Sequence, residues 1–191
     1  MLKFITQLVK HPKSVGAIAP SGPYLARGMV RDIDFNACRS LVEFGPGTGV
    51  FTAEILRRKR PETPLLAIER NEAFCRQLSE RFQNVPNFYL VNAGAEEIAA
   101  LLAERKLPDP EVILSGLPFT SLPVALSEKI LGETASVLSR GDKMGRFVTF
   151  QYTLLKLRLF ERYFEPEKRL RVWRNVPPAH ILTFCPKCPQ A

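Results

Sequence analysis

A glycine-rich turn is the feature that most constrains the fold of this chain. In the segment LVEFGPGTGVFT (residues 41–52), an apolar run that contains Glu43 leads into Gly45, Gly47 and Gly49, and a helical pattern follows. Glycines at such a turn let the backbone bend tightly and approach a ligand without an intervening β-carbon. Their spacing is G-x-G-x-G, which differs from the G-x-G-x-x-G of dinucleotide-binding proteins. The segment therefore predicts the strand, ligand-binding turn and helix of an α/β domain.

Short apolar runs and longer amphipathic runs alternate along the rest of the chain. This alternation is typical of a mostly parallel sheet that helices cover on both faces. Two further strand-like runs, LRVWRNV (170–176) and AHILTFC (179–185), are separated only by two prolines and predict a closing antiparallel pair. The other predicted strands are Leu41–Phe44, Leu65–Glu69, Phe88–Val91, Val112–Ser115 and Arg146–Tyr152, and the predicted helices are Val50–Lys59, Asn71–Phe82, Glu96–Arg105 and Pro123–Ser139.

Length and charge limit the class of protein. The 191 residues suit a single domain spanning residues 1–191, and no uncharged run is long enough to cross a membrane. The formal charge is +8; residues 1–31 hold five basic residues and no acid, and residues 156–174 hold seven basic residues and three acids. An excess gathered in two segments predicts a polyanionic partner, either nucleic acid or an anionic lipid surface. A merely solvated basic surface is the alternative.

The first residues, MLKFITQLVKHPK, form an amphipathic pattern within a helical N-terminal extension of residues 1–35. This helix either caps the core or lies in a membrane interface, and the sequence leaves both interpretations open. The segment lacks the apolar block and cleavage site of a signal peptide, so a cytoplasmic location is expected. The residues that share its apolar face are Met1, Phe4, Ile5, Leu8 and Val9.

The cysteines predict no metal centre. Cys185 and Cys188 form the sequence CPKC, but no second Cys or His pair stands at zinc-ribbon or zinc-finger spacing. We interpret the pair as part of a frayed C-terminal tail.

A second acid extends the glycine-turn motif. The sequence LLAIER places Glu69 at the predicted end of the second strand, twenty residues after Gly49, where a carboxylate can accept both hydrogen bonds of a ribose diol. The glycine turn, Glu43 and Glu69 together resemble the S-adenosylmethionine-dependent methyltransferases of the Rossmann-like class I. The resemblance implies that S-adenosylmethionine is the cofactor. It places the glycine turn against the methionine part, Glu69 on the ribose, and Glu43 where it orders the turn or the amino-acid end.

The third strand departs from this family pattern. The sequence VNAGAEEI has Gly94–Ala95 where many relatives have an Asp that contacts the adenine amino group. We expect backbone groups of Gly94 and Ala95 to take its place. The remaining residues that we assign to the cofactor site through the resemblance are Ser21, Arg70, Ser115 and Gly116.

The loop after the fourth strand indicates the class of acceptor. Related enzymes that methylate the adenine amino group usually carry Asn or Asp at its first position, whereas in SGLPFTSLP (115–123) that position is Ser115. An amide or carboxylate oxygen can accept the hydrogens of an arylamine and favour its tetrahedral form. An aliphatic amine is already tetrahedral and needs only deprotonation and alignment. Ser115 therefore favours an aliphatic amine over a nucleobase.

The wider sequence resembles the bacterial phospholipid N-methyltransferases, distant relatives of the ribosomal RNA adenine dimethyltransferases. The resemblance rests on VGAIAPSGPYLARGM, VEFGPGTGVFT, SGLPF and VWRNVPPA, in that order. It implies methylation of phosphatidylethanolamine, in phosphatidylcholine biosynthesis, by a peripheral protein at the inner face of the cell membrane. The implied partners are an anionic membrane surface and the amino phospholipid, with no metal and no nucleic acid. An RNA adenine methyltransferase and a catalytically inactive membrane-binding module remain as alternatives.

Candidate substrate residues are expected at the strand ends that face the cofactor. Phe119 packs either against the lipid or in the core. Arg174 and His180 are candidates to hold the lipid phosphate, since Arg matches phosphate geometry, against the alternative of a salt bridge or a capped strand end. The candidates to orient the amine are Ser115, Tyr24 and Tyr152.

Overall fold

A computed structural model describes residues 22–141 and 143–187. Within them, seven strands form one sheet. The strands are β1 (Leu41–Phe44), β2 (Leu65–Glu69), β3 (Phe88–Asn92), β4 (Val112–Ser115), β5 (Arg146–Gln151), β6 (Phe164–Val172) and β7 (Ala179–Pro186). The helices are α1 (Pro23–Met29), α2 (Val50–Leu56), α3 (Glu72–Phe82), α4 (Ile98–Glu104), α5 (Val124–Leu138) and α6 (Leu157–Phe160), and a 3-10 turn (Ala95–Glu97) precedes α4.

The strand order is β3-β2-β1-β4-β5-β7-β6. Strands β1 to β5 pair in parallel, and β7 pairs antiparallel with both β5 and β6. Because β1 to β5 run in one direction, their carboxyl ends meet at one side of the sheet, which we call the carboxyl edge. The chain builds outward from β1 through β2 to β3 and then returns to β4 on the other side of β1. The turn after β1 therefore opens into the crevice where open α/β sheets bind ligands.

The central strands are buried on both faces, because alternate side chains enter two different cores. We call the side under α4, α5 and α6 the α5 face and the side under α1 and α2 the α1 face. The α1 face holds Leu25, Met29, Phe51 and Ile55 among others. The α5 face is rich in aromatic rings, namely Phe44, Phe119, Phe147, Phe160, Phe164 and Phe184.

The predicted fold class is confirmed, with a mostly parallel sheet closed by an antiparallel pair. Strands β1, β2 and β4 have the predicted bounds, while β3 is one residue longer and β5 one residue shorter than predicted. The prediction for the first strand of the closing pair is wrong: β6 begins at Phe164 and ends at Val172, so residues 173–176 lie in a turn. After the buried Phe164, residues 165–169 of β6 are exposed and mostly charged and give no apolar pattern, as is common in edge strands, where Pro166 is also tolerated.

Helix α1 lies within the predicted helical extension of residues 1–35, whereas α6 was not predicted, and the predicted helix over 96–105 divides into the 3-10 turn and α4. The predicted amphipathic helix at the N-terminus, Ser21 and Cys188 lie outside the described residues. Cys185 lies in β7 and pairs with Glu165 of β6, so the interpretation as a frayed tail is wrong for Cys185. None of the helices in residues 22–141 and 143–187 has the length and apolar character needed to cross a bilayer. In the same residues, no group of three or more His, Cys, Asp or Glu side chains is arranged to hold a metal ion.

Candidate active site

The turn after β1 is built from left-handed backbone. The angle φ is +63° at Gly45, +56° at Gly47 and +79° at Gly49, a region that other residues rarely adopt. A β-carbon on Gly49 would press on Leu78 of α3 at 2.7 Å, whereas one on Gly47 would meet no heavy atom within 4 Å. The turn is thus packed against protein at one end and faces open space at its middle, as a ligand cradle requires.

Glu69, at the end of β2, stabilises this turn through its hydrogen bonds. Its Oε2 accepts a hydrogen bond from the Gly47 N–H at 2.9 Å, and its Oε1 accepts one from the Asn71 N–H at 2.8 Å. Asn71 in turn caps α3 by accepting bonds from the N–H groups of Ala73 and Phe74. A carboxylate offers about four lone-pair sites, so these bonds leave capacity for two hydroxyl groups. The ribose contact of Glu69 stays a prediction, and the structure adds a second role in holding the turn.

Glu43 lies on β1 with its side chain wholly buried. Its Oε2 accepts a hydrogen bond from Thr52 Oγ1 at 2.7 Å, while Oε1 has no hydrogen-bond partner. Burial raises the pKa of Glu43 to about 8; the charge of Glu69 adds to the rise, and the bond from Thr52 opposes it. A buried carboxyl group with one free oxygen suits a cationic or hydrogen-bond-donating ligand, because either would stabilise its ionised form.

The loop after β4 packs directly on the glycine turn. The Gly116 N–H donates to the Phe44 carbonyl at 2.8 Å, and a β-carbon on Gly116 would lie 2.7 Å from the Gly45 carbonyl oxygen. A β-carbon on Gly45 would lie 2.8 Å from the Leu117 side chain. Glycines at both positions therefore permit the close approach, which brings the Ser115 loop beside the predicted cofactor turn.

Ser115 is fully buried at the end of β4. Its Oγ accepts a hydrogen bond from the Leu117 N–H at 3.2 Å, and its carbonyl accepts one from Thr149 Oγ1 at 3.3 Å. Gln151 donates in turn to Thr149 Oγ1 at 3.4 Å. The hydroxyl of Ser115 thus stabilises its own loop, and its contact with an amine stays a prediction. Thr149 and Gln151 were missed because only their place in β5, next to β4, relates them to Ser115.

Lys156 stabilises the other end of the loop after β4 through two hydrogen bonds. Its Nζ donates to the carbonyls of Phe119 and Leu122 at 2.7 Å each, and partial burial lowers the pKa of Lys156. Phe119 is fully buried, with its ring centroid 4.9 Å from that of Phe160. Core packing, one of our two interpretations of Phe119, is therefore observed, and its contact with a lipid stays a prediction. The sequence marks Lys156 only as the first cation of the basic segment 156–174 and gives no signal for its contact with this loop.

The turn after β3 carries an acid that the sequence analysis missed. Gly94 donates its N–H to Glu97 Oε1 at 2.8 Å. A β-carbon built on Gly94 would fall on the carboxylate of Glu96, which lies 3.9 Å from the Arg70 guanidinium. A carboxylate therefore stands beside Gly94 although position 94 itself supplies none. The cofactor contacts expected of Gly94, Ala95 and Arg70 stay predictions.

The turn between β6 and β7 joins distant segments at the carboxyl edge. The buried Asn175 accepts a hydrogen bond from the Gly22 N–H at 3.1 Å. Burial raises the pKa of Tyr152, and the neighbouring Asn175 side chain offsets part of the rise. The Arg174 guanidinium lies 5.4 Å from the centre of the Tyr24 ring. The predicted substrate residues Tyr24, Tyr152 and Arg174 thus lie at one corner of the carboxyl edge. Asn175, which was not predicted, connects the segments that form this corner.

His180 lies apart from this corner. Strand alternation places it on the α5 face with Leu182, whereas Arg174 contacts α1 on the other face. Its Nδ1 is buried without a hydrogen-bond partner, and its pKa is lowered by burial and by two arginines of β6. The structure therefore does not join His180 and Arg174 in one anion-binding pair, and a phosphate contact of either residue stays a prediction.

A cavity of about 730 Å³ lies at the opposite, amino edge of the sheet. Three ion pairs border it, with N–O distances of 2.7 Å (Lys168–Asp32), 2.6 Å (Arg39–Glu111) and 2.8 Å (Arg146–Glu167). Its charges are compensated by these ion pairs, and the residues that line it include no ligand-binding turn. We therefore place the active site at the carboxyl edge.

The chain is similar over nearly its whole length to a lipid-modifying enzyme. It is 31% identical over 182 residues to the ornithine lipid N-methyltransferase of Singulisphaera acidiphila, a match that covers 95% of this chain and 93% of that protein. The chain belongs to the bacterial lipid N-methyltransferases. No protein-family model matches it.

The predicted relation to ribosomal RNA methyltransferases is also confirmed. The chain is 28% identical over 104 residues to the ribosomal RNA small subunit methyltransferase A of a Synechococcus strain. That match covers 54% of this chain but only 33% of the ribosomal enzyme. The kinship is therefore partial, in contrast to the full-length match with the lipid enzyme.

Solved structures share the fold. TrmN from Thermus thermophilus aligns with a TM-score of 0.67 and 18% identity over 86% of this chain, which spans about half (49%) of TrmN. The N-methyltransferase NodS from Bradyrhizobium japonicum WM9, in complex with S-adenosyl-L-homocysteine, aligns with a TM-score of 0.67 and 10% identity, covering 88% of this chain and 89% of NodS. At these identities the likeness establishes the class I methyltransferase fold alone.

S-adenosylmethionine is the methyl donor of this lipid N-methyltransferase, as predicted, and the described residues fit it. The molecule carries a positive sulfonium, an amino-acid end and a ribose diol. The remaining acceptor capacity of Glu69 suits the ribose diol, the unpartnered Oε1 of Glu43 suits a cationic group, and the open space in front of Gly47 leaves room for a ligand. A buried carboxyl group whose pKa is raised gains most from a cationic neighbour.

Proposed function

We propose that this lipid N-methyltransferase methylates the primary aliphatic amine of an amino lipid, with ornithine lipid as the first candidate acceptor. The observation that carries the proposal is the chemistry of the loop after β4. Its sequence, SGLPFTSLP, contains no amide or carboxylate side chain, and the hydroxyl of Ser115 is buried and bonded to Leu117 N–H. Such a loop can position a tetrahedral amine but has no amide or carboxylate oxygen to rehybridise the amino group of adenine.

The corner formed by Tyr24, Tyr152 and Arg174 is the proposed headgroup site. An ornithine headgroup pairs its amine with a carboxylate, and phosphatidylethanolamine pairs its amine with a phosphate. A guanidinium binds either anion through two parallel hydrogen bonds. The full-length similarity to an ornithine lipid enzyme supports the first lipid, and the four motifs that resemble phospholipid N-methyltransferases support phosphatidylethanolamine as the second.

The chain has to deliver a neutral amine in line with the transferable methyl group. The bound cofactor supplies a methyl group activated by its positive sulfur. The acceptor nitrogen attacks only through a free lone pair, so the ammonium form must first lose a proton. We expect the phenol oxygen of Tyr152, whose pKa is raised by burial, to accept a hydrogen bond from the amine and orient it.

The proposal includes peripheral attachment to the inner face of the cell membrane, where the lipid substrate lies. The basic segments 1–31 and 156–174 support it, because juxtamembrane cations are attracted to anionic leaflets. Binding to anionic vesicles is expected to weaken as salt is added.

A methyl-transfer assay tests the proposed acceptor. The chain is incubated with labelled S-adenosylmethionine and with vesicles containing ornithine lipid, vesicles containing phosphatidylethanolamine, or unmodified RNA. We expect label in the ornithine lipid, at a rate that rises with pH until the bound amine is deprotonated. Label in phosphatidylethanolamine alone would replace the first candidate by the second. Label on adenine in RNA, with none in either lipid, would overturn the proposal.

A further inference from the structure

Exposed apolar side chains gather at the carboxyl edge. Among the described residues, six large apolar side chains are exposed. Met144 lies at the amino edge, beside the cavity described above. The other five stand on the segments that surround the active site, and we call them the apolar rim: Tyr24, Val124, Leu155, Trp173 and Val176.

Three members of the rim project farthest into solvent. Trp173 is 65% exposed and Val176 is 82% exposed, both in the turn between β6 and β7, and Leu155 is 75% exposed in the segment after β5. The Arg171 guanidinium lies 3.6 Å from the centre of the Trp173 ring. A tryptophan suits the boundary between acyl chains and water, because its ring is apolar and its N–H is polar. A neighbouring arginine can extend to the headgroups while its stem covers apolar surface.

The chain segments that carry Trp173, Val176 and Leu155 are basic. After Glu167 the chain contains no acidic residue, while Arg171 and Arg174 flank Trp173. The segment after β5 likewise carries Lys156 and Arg158 and no acid before Glu161. Apolar side chains on a basic background are the pattern of a surface that enters an anionic membrane interface.

We propose that the turn of residues 173–176, together with Leu155, inserts into the interface of an anionic lipid bilayer and docks the carboxyl edge on the membrane. This inference rests on the proposed function, since a lipid headgroup must reach the active site from the bilayer. RNA fits the rim less well. Aromatic platforms stack on bases, but the side chains of Val176 and Leu155 have no π-face to offer.

The single tryptophan makes the docking directly observable. Trp173 is the one tryptophan of the chain, so the intrinsic emission reports on this turn. We expect vesicles of phosphatidylglycerol and phosphatidylcholine to shift the emission to shorter wavelength, and brominated acyl chains to quench it. Co-sedimentation with these vesicles without a shift or quenching would overturn the proposal. A shift with RNA and none with vesicles would overturn it as well.

Variants separate this docking from the proposed function. Trp173→Ala combined with Val176→Ser should lower the affinity for anionic vesicles at least about fivefold, because two exposed apolar side chains no longer insert. Met144→Ser, at the opposite edge, is the matched control and should bind as the wild type does. Leu155→Ser provides the same test if circular dichroism reveals that the double variant is unfolded. Unchanged binding of a folded rim variant would refute the docking.

Activity in detergent micelles tells the two proposals apart. Dispersed amino lipid should be methylated at the wild-type rate by the rim variants, because the active site is intact and no bilayer has to be bound. If the wild type methylates no amino lipid in micelles, the proposed function fails, and the emission of Trp173 still decides the docking. If micellar methylation succeeds without insertion of the turn, the docking alone fails.

Discussion

The cofactor half of the sheet, β1 to β3, and the acceptor half, β4 to β7, are assembled from contacts of different range. In the cofactor half, Gly47 bonds to Glu69 across 22 positions and Thr52 bonds to Glu43 across nine. In the acceptor half, Lys156 reaches back 37 positions to Phe119, and the bond from Gly22 to the side chain of Asn175 spans 153. The cofactor site is thus a local construction, whereas the acceptor site forms only when the β6–β7 hairpin closes against α1.

The largest effect is expected in the cofactor half. Glu69→Ala removes the acceptor of two backbone bonds and the predicted partner of the ribose. At about 1.5–3 kcal/mol for each charge-assisted bond, the affinity for S-adenosylmethionine should fall at least about tenfold, measured by calorimetry. Glu69→Gln retains one side-chain oxygen and should lose less. Unchanged affinity in Glu69→Ala would refute the ribose assignment.

A substitution in the acceptor half should leave the affinity for the cofactor nearly unchanged. Lys156→Met keeps an apolar stem but removes both bonds that hold the loop after β4. We expect kcat/KM for lipid methylation to fall about tenfold while cofactor affinity changes less than about twofold. Lys168→Met is a matched control, since Lys168 pairs with the exposed Asp32 at the opposite edge. The division into halves would be contradicted if kcat/KM fell equally in Lys156→Met and Lys168→Met. It would also be contradicted if Lys156→Met lost as much cofactor affinity as kcat/KM.

The same contrast explains what the sequence could and could not reveal. The glycine turn and Glu69 were recognisable because their chemistry is encoded within one β-α-β segment, and β1, β2 and β4 were recognisable as short apolar runs. The role of Asn175 was not, because its partner lies near the other end of the described chain. Most of β6 escaped recognition because an edge strand exposes its side chains and lacks the alternating pattern.

Glu96 offers a finer test of the cofactor half. If its carboxylate replaces the acid missing from position 94, Glu96→Ala should weaken S-adenosylmethionine binding about three- to tenfold, the value of one hydrogen bond. Adding Gly94→Asp should restore affinity, because φ at Gly94 is −84° and the space freed by Glu96 accepts the new side chain. Calorimetry measures the affinity of the single and the double variant for S-adenosylmethionine. A lower affinity in the double variant than in Glu96→Ala would disprove the idea that Glu96 replaces the missing acid.

The smallest predicted effect is the release of a proton from Glu43 when the cofactor binds. In the unliganded chain the pKa of Glu43 is about 8, so the group is mostly protonated near pH 7. A cation bound beside it favours the carboxylate, so binding of S-adenosylmethionine should release up to one proton, and affinity should rise with pH toward 8. Calorimetry in two buffers of different ionisation enthalpy measures the release. Glu43→Gln should abolish it, and the absence of any release from the wild type would contradict the role of Glu43.

The stability of the unliganded chain should follow the opposite trend. Because burial raises the pKa of Glu43 in the folded state from an ordinary value of 4.5, the folded chain holds the proton more tightly than the unfolded chain. This contribution is fully present below pH 4.5 and is lost as the pH rises through 8. The free energy of unfolding should therefore fall more steeply over that range in the wild type than in Glu43→Gln, measured by urea denaturation.

One paired measurement tests most directly the claim that separate halves hold the cofactor and the acceptor. Cofactor affinity and lipid kcat/KM are determined on the same samples of Arg174→Gln and Glu69→Ala. We predict that Arg174→Gln binds S-adenosylmethionine within about twofold of the wild type yet loses about tenfold in kcat/KM, through the loss of a charge-assisted bond. Glu69→Ala should lose both. If Arg174→Gln lost as much cofactor affinity as Glu69→Ala, or methylated the lipid at the wild-type rate, the account would be contradicted.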